Sequence, residues 1–167
     1  FKRYLDYLKE LGELTEAEEK FCQGIGKEFI SLLENTNMSK VYKMPVLMAF
    51  YNHGDIRMEV TEEELLKSWK DFFSTGTNWK DLEIGITYEE YCKISEQKHL
   101  KKILDMPVHY LMESGRGFFV EKDEGVLGLR DELENVIEDE VMKEQMGDVI
   151  RYRAMDYYRR RYREKEI

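Results

Sequence analysis

The stretch that decides the fold is residues 38–60, MSKVYKMPVLMAFYNHGDIRMEV. Its middle is a dense apolar run at helical spacing, which stops before Gly54. After that glycine the pattern alternates, with Ile56, Met58 and Val60 on one side and charged residues between them. A change from period 3.6 to period 2 across a glycine predicts an apolar helix followed by a short strand.

Three capping boxes punctuate the chain and favour a mainly helical fold. In each, a threonine is followed three residues later by a glutamate, and the pairs are Thr15 with Glu18, Thr61 with Glu64, and Thr87 with Glu90. Such pairs satisfy the free N–H groups at a helix start. We predict one helix from the first box to about Asn35. Gly24 and Gly26 lie inside it, where close packing on a neighbour or a local break would explain them.

A hairpin signal follows in residues 118–129, where two short apolar runs flank a polar turn that contains Gly125. Helix, short strand, helices and a final hairpin make up the order of a winged helix. We therefore predict a mainly α fold with a small antiparallel β-sheet (α+β). Residues 37–130 would form its winged-helix-like core, residues 1–36 N-terminal helices, and residues 131–167 C-terminal helices with a basic tail.

Two similar tripeptides, Met44-Pro45-Val46 and Met106-Pro107-Val108, each precede an apolar helix, a glycine and a strand in this interpretation. Pro45 is predicted in the first turn of its helix, and Pro107 is predicted to open a separate helix to residue 114. Three matching residues leave open whether residues 44–60 and 106–120 are a true repeat.

Charge is distributed unevenly along the 167 residues, whose net charge is −9. Residues 121–150 hold 11 acids and 3 bases, whereas residues 151–167 hold 7 bases and 3 acids. The overall acidity argues against indiscriminate nucleic-acid binding, but the basic end indicates an anionic partner there. The acidic block is a solvated face or a dock for a basic partner.

No reaction centre or metal site is predicted. Cys22 and Cys92 lack zinc-ligand spacing and are interpreted as buried thiols in a reducing cytoplasm. His53, His99 and His109 are far apart in sequence. The sequence has no phosphate-binding loop, no signal peptide and no apolar run of the roughly 18–20 residues that would span a bilayer.

The candidate nucleic-acid contacts are arginines and lysines. Arginine pairs bidentately with phosphate, and neighbouring tyrosines stack on exposed bases. The candidates are Arg153, Arg159, Arg160, Arg161 and Arg163 in the tail, with Lys40, Lys43, Lys98, Lys101 and Lys102 as secondary contacts. The alternative is that the arginines complement the end of a helix dipole and that the lysines form solvated faces.

The run from Asn37 to Leu47, NMSKVYKMPVL, resembles the segment that follows the motor domains in bacterial DEAD/DEAH-box helicases of the restriction-associated type. The similarity extends through Pro107-Val108, Phe118-Phe119 and the Tyr/Arg-rich end. It implies a non-catalytic, cytoplasmic accessory domain that contacts nucleic acid or orients it beside the motor. ATP and Mg²⁺ would belong to the motor domains upstream, and the start at Phe1 without methionine is expected of a fragment.

The rival interpretation is a protein-interaction or scaffolding module. It would pack on the motor domains without binding nucleic acid, and the net acidity favours it.

Overall fold

The computed structural model describes residues 4–165 of the chain, with side chains described as far as residue 161. The helices are α1 (Tyr4–Leu11), α2 (Glu16–Cys22), α3 (Ile25–Asn35), α4 (Lys43–Phe50), α5 (Glu62–Ser74), α6 (Tyr88–Cys92), α7 (Glu96–Ile103), α8 (His109–Ser114) and α9 (Glu140–Lys165). The strands are β1 (Tyr51–Asn52), β2 (Asp55–Ile56), β3 (Glu59–Thr61), β4 (Phe119–Asp123) and β5 (Val126–Leu129). Short 3-10 helices cover Asn78–Asp81 and Asp131–Asn135.

These elements form two compact units. The winged-helix unit consists of residues 38–50 and 59–129, and the helical unit consists of residues 4–37, 51–58 and 130–165. The predicted borders at 36/37 and 130/131 stay predictions.

The winged-helix unit has the predicted mainly α character and the predicted sheet. Its three antiparallel strands lie in the order β3-β5-β4, so the single early strand pairs with the second strand of the late hairpin. The capping box at Thr61 opens α5 as predicted. Apolar packing holds these elements together, with Phe50 of α4 against Phe119 of β4 at 5.6 Å between ring centroids. The winged-helix-like α+β prediction is confirmed.

The predicted strand over residues 56–60 is wrong in extent. Only Glu59–Thr61 joins the three-stranded sheet, and Asp55–Ile56 pairs instead with Tyr51–Asn52 in a separate hairpin of the helical unit. The turn of that hairpin has positive φ at His53 (51°) and Gly54 (96°), as a tight two-residue hairpin requires. Gly54 therefore lies in a hairpin turn and does not end the helix, since α4 has already ended at Phe50.

The predicted single helix from the first capping box to Asn35 is also wrong. Helix α2 ends at Cys22, and Gly24 is the N-cap of the next helix, α3. Gly26 allows close packing on a neighbour, because a Cβ there would lie 2.7 Å from Cε2 of Phe21. Close packing between α2 and α3 requires that glycine.

Pro107 does not open a separate helix. It lies inside a continuous helical stretch, in a π-helical turn over Leu104–Val108 that joins α7 to α8. This π-helical turn is wider than an α-helical turn and accommodates Pro107, which has no backbone N–H. Pro45 lies in the first turn of α4, as predicted. The two similar tripeptides therefore adopt different local structures.

The long helix α9 begins at Glu140, directly after Asp139. Asp139 Oδ1 accepts hydrogen bonds from the backbone N–H groups of Val141 (2.8 Å) and Met142 (3.3 Å), which caps the helix. Gly147 lies against the Tyr51 side chain, which occupies the space that a Cβ would fill. The hairpin of the helical unit therefore packs directly on the α9 backbone.

The prediction of two buried thiols is wrong, because Cys92 is exposed and Cys22 is half-buried. Within residues 4–165, no helix combines the length and the apolar character that a membrane span requires.

Candidate nucleic-acid interface

Helix α7 of the winged-helix unit presents a cationic face. Ser95 caps its start by accepting a hydrogen bond from the Lys98 N–H at 3.2 Å. His99 and Ile103 are buried, which fixes the inner side of the helix. At 100° per residue, Lys98 and Lys101 lie on the opposite side, and Lys102 lies on the flank next to Lys98, where it is half-buried. Three of the predicted lysines therefore share one helix surface.

Lys40 joins this surface from the segment before α4. The carbonyl of Leu82 accepts hydrogen bonds from Tyr42 Oη (2.5 Å) and Lys102 Nζ (2.9 Å), which ties the segment to α7. Burial lowers the pKa of Lys102, Glu83 opposes that shift, and Lys40 adds to it by repulsion. Lys40 is thus close enough to act on Lys102. We call Lys40, Lys98, Lys101 and Lys102 the α7 cationic face.

The members of this face differ in their partners. Lys101 pairs with Asp105 one turn later, and Lys102 is half-buried with its ammonium 5.0 Å from the centroid of the Tyr42 ring. Lys40 and Lys98 are exposed and have no ion pair in the described part of the chain. Lys43, predicted with this group, is buried in α4. Lys40 and Lys98 are therefore the cations most available to an external anion.

A buried polar contact fixes α7 on α5. The indole N–H of Trp69 donates to Nδ1 of His99 at 3.1 Å, so the imidazole carries its proton on Nε2. Burial lowers the pKa of His99, and the nearby Lys70 and Lys102 lower it further, while Glu96 opposes them. His99 is a structural residue that orients the cationic face.

Arg153 of the helical unit is engaged inside the fold. Its Nη1 donates to the carbonyls of Leu33 (3.1 Å) and Glu34 (2.9 Å), which lie in the last turn of α3. Burial lowers its pKa, and repulsion from Arg160 adds to the shift. This guanidinium satisfies carbonyls that a helix end leaves without partners.

The remaining tail arginines lie further along α9. One carboxylate, Asp156, pairs with both Arg159 (3.0 Å) and Arg160 (3.2 Å). Arg161 is half-buried and has contacts of its own. Arg163 lies in α9, but its side chain is outside the described residues. The exposed arginines of this tail are therefore partly neutralised by their own helix.

The hairpin of β4 and β5 carries exposed acids at Glu121 and Asp123 in β4 and at Glu124 in the turn. In the winged-helix order this hairpin is the wing. Its negative charge disfavours contact with a phosphate backbone.

An aromatic cluster next to α7 was missed by sequence reasoning. Trp79 lies 5.4 Å from Tyr88 and 6.4 Å from Tyr91, and the two tyrosines lie 6.2 Å apart, all between ring centroids. The spacing of one tryptophan and two tyrosines within 13 residues was the only sequence signal. Tyr91 also contacts the His99 ring at 6.0 Å, which places the cluster beside the start of α7.

Among the described side chains of residues 4–161, no group of three or more His, Cys, Asp or Glu could hold a metal ion. No protein-family model, curated protein or solved structure matches the chain. The arrangement offers ionic and stacking contacts, and we derive its function from those.

Proposed function

We propose that this chain is a non-catalytic, winged-helix-like domain that contacts nucleic acid through the α7 cationic face. The observation that carries the proposal is the convergence of the segment that holds Lys40 with α7, since the Lys102 ammonium lies 5.0 Å from the centroid of the Tyr42 ring, two residues after Lys40. Lysines placed on one face supply the salt-dependent attraction to phosphates on which such binding depends.

The position of α7 in the fold supports this assignment. In helix-turn-helix proteins the second helix of the motif enters the major groove, and α7 follows α5 in the corresponding place of the element order. The acidic wing makes no favourable phosphate contact, so binding would rest on the helix rather than on the hairpin.

The test is the salt dependence of binding to a fluorescein-labelled 20-base-pair duplex, measured by anisotropy with the whole chain. Lys102 is held by the Leu82 carbonyl, so the three engaged lysines would be Lys40, Lys98 and Lys101, and they predict a slope of log Kobs against log[NaCl] of about −2.7. Lys98→Ala should weaken binding and make the slope less steep by about 0.9.

Lys67→Ala is the matched control, because Lys67 is an exposed lysine of the same unit that pairs with Asp71 on α5. It changes the net charge equally and lies on another helix. Equal effects of the two substitutions, or no binding in 50 mM NaCl, would overturn the proposal.

The wider context that we propose is an accessory domain of a bacterial DEAD/DEAH-box helicase in the cytoplasm. It rests on the resemblance of residues 37–47, which form the segment before α4 and the first half of that helix. ATP and Mg²⁺ would be bound by the motor domains and not by this chain. Helicase motifs upstream in the full-length gene product would support this context, and their absence would end it.

A protein-interaction module is the second candidate, and the exposed acids of the wing favour it. If the chain is a protein-interaction module, we expect no binding in the duplex titration. A basic peptide would bind instead, and Glu124→Gln would weaken that binding.

A further inference from the structure

The connection between α5 and α7 is unusually long for a helix-turn-helix. It runs over residues 75–95, whereas the turn of such a motif has about 3–4 residues. The connection contains the 3-10 helix Asn78–Asp81 and α6, and these two elements carry the aromatic cluster of Trp79, Tyr88 and Tyr91. The added residues therefore build a distinct surface.

The cluster lies at the surface of the unit, where Tyr88 is exposed and Trp79 and Tyr91 are half-buried. Tyr88 is 61% exposed, and Ile84 in the same connection is 90% exposed. By contrast, Trp69 and Phe73 of α5 are fully buried and form the aromatic core of the unit. The cluster is thus an outward-facing π surface.

Two of the acids near the cluster are held by ion-pair partners, whereas Glu83 and Glu90 of the same connection are exposed. Glu89 pairs with Lys93 at 3.0 Å, and Glu96 pairs with Lys70 at 2.9 Å. Lys80 differs, since its ammonium lies 5.6 Å from the centroid of the Trp79 ring and forms no ion pair in the described part of the chain. The cluster therefore has one available cation at its edge.

The cluster also lies beside the first turn of α7, which carries Lys98. Tyr91 contacts the buried ring of His99, the residue after Lys98. A strand of nucleic acid held at Lys98 would therefore lie near the aromatic rings. Aromatic side chains flanked by cations are the usual platform for unpaired bases.

We propose that Trp79, Tyr88 and Tyr91 form a stacking surface for unpaired nucleobases, with Lys80 contacting the phosphate of the same strand. This inference rests on the proposed function and deepens it. The domain would bind a single strand, or the single-stranded arm of a junction, in preference to a blunt duplex.

The experiment measures the affinity of the whole chain for fluorescein-labelled dT20 and for the blunt duplex in the same buffer. Tyr88→Ala should weaken dT20 binding about tenfold, as expected for loss of one stacked base, and should change duplex binding less than twofold. Tyr88→Phe, which keeps the ring, should bind dT20 like the parent chain.

Tyr7→Ala is the matched control, because Tyr7 is 58% exposed on α1 of the helical unit. It should leave both affinities unchanged. A second readout is tryptophan fluorescence, which dT20 should quench in the parent chain and not in Trp79→Phe, since the other tryptophan, Trp69, is buried.

The outcomes separate the two proposals. If dT20 binding depends on Lys98 but not on Tyr88, the stacking surface is refuted and the cationic face stands. If neither nucleic acid binds and poly-L-lysine quenches Trp79, both proposals fail and the cluster is a dock for a basic protein.

Discussion

Two basic helices of this protein, α7 and the end of α9, differ in how available their charge is. In α9, Asp156 pairs with two arginines and Arg151 pairs with Asp148 at 2.7 Å. In α7, Lys101 has such a partner, whereas Lys98 has none in the described part of the chain. The sequence has more cations in α9, but among the side chains that the structure describes the exposed arginines of α9 are paired with acids of their own helix, whereas α7 keeps an exposed lysine without such a partner.

The physical reason is the position of the acids. An aspartate three or four residues before an arginine lies beside it on a helix, where ion pairs form readily. Such exposed pairs are weak, but they reduce the field that an external phosphate experiences. Counting basic residues therefore overestimates the anion-binding capacity of α9.

The largest effect that we predict is on stability and concerns Arg153. Arg153→Ala should lower the free energy of unfolding by about 2 kcal/mol, because hydrogen bonds from a charged donor contribute about 1.5–3 kcal/mol. The free energy of unfolding is measured by urea denaturation, with circular dichroism as the signal. Arg159→Ala is the control, since Arg159 is itself exposed and pairs with a half-buried carboxylate of its own helix. Equal stability of the two variants would show that Arg153 is not structural.

The second prediction concerns the pH dependence of the α5–α7 contact. The pKa of His99 is lowered in the folded state from 6.5, mainly by burial. Its stabilising contribution is therefore complete above about pH 6.5 and is lost as the pH falls below that value toward the lower folded pKa. Protonation also removes the acceptor of the Trp69 N–H, which costs on the order of 1 kcal/mol.

The groups that face His99 define the control for this experiment. Lys70 and Lys102 oppose its protonation, Glu96 favours it, and Tyr91 contacts the ring. His99→Gln keeps a hydrogen-bond acceptor without a titrating group, so its stability between pH 7.5 and 5 should fall less than that of the parent. A parallel fall in both proteins would assign the pH dependence to other groups.

Much of the fold follows from local sequence signals. The three capping boxes, the hairpin around Gly125 and the start of α9 depend on contacts between residues that are close in sequence, and all of them are present. The break before Gly24 and the helical passage through Pro107 depend on packing. Single-residue propensities do not encode the Phe21 ring beside Gly26 or the π-helical turn.

The candidate site was less predictable for a similar reason. The sequence identifies which residues are basic, but not that Leu82 would anchor Lys102 or that α3 would engage Arg153. These contacts join residues that are 20 and 120 positions apart. The aromatic cluster was missed because its three rings come from two short helical elements.

The third prediction tests the internal neutralisation of α9. Asp156→Asn removes the carboxylate shared by Arg159 and Arg160, and it should raise duplex affinity about threefold at 50 mM NaCl, within the range of exposed ion-pair energies. Glu144→Gln changes the net charge equally at another exposed site of α9. Equal gains in both variants would mean that only net charge matters, and the pairing would then have no influence on binding.

The smallest predicted effect is the difference between two lysines of α7, Lys98 and Lys101. Lys101→Ala should weaken duplex binding less than Lys98→Ala does, because the phosphate must compete with Asp105 for Lys101. Loss of this exposed ion pair should change stability by less than about 0.5 kcal/mol, so both variants remain folded and their affinities are comparable. If Lys101→Ala has the larger effect, carboxylate pairing does not control availability, and the contrast between α7 and α9 must have another cause.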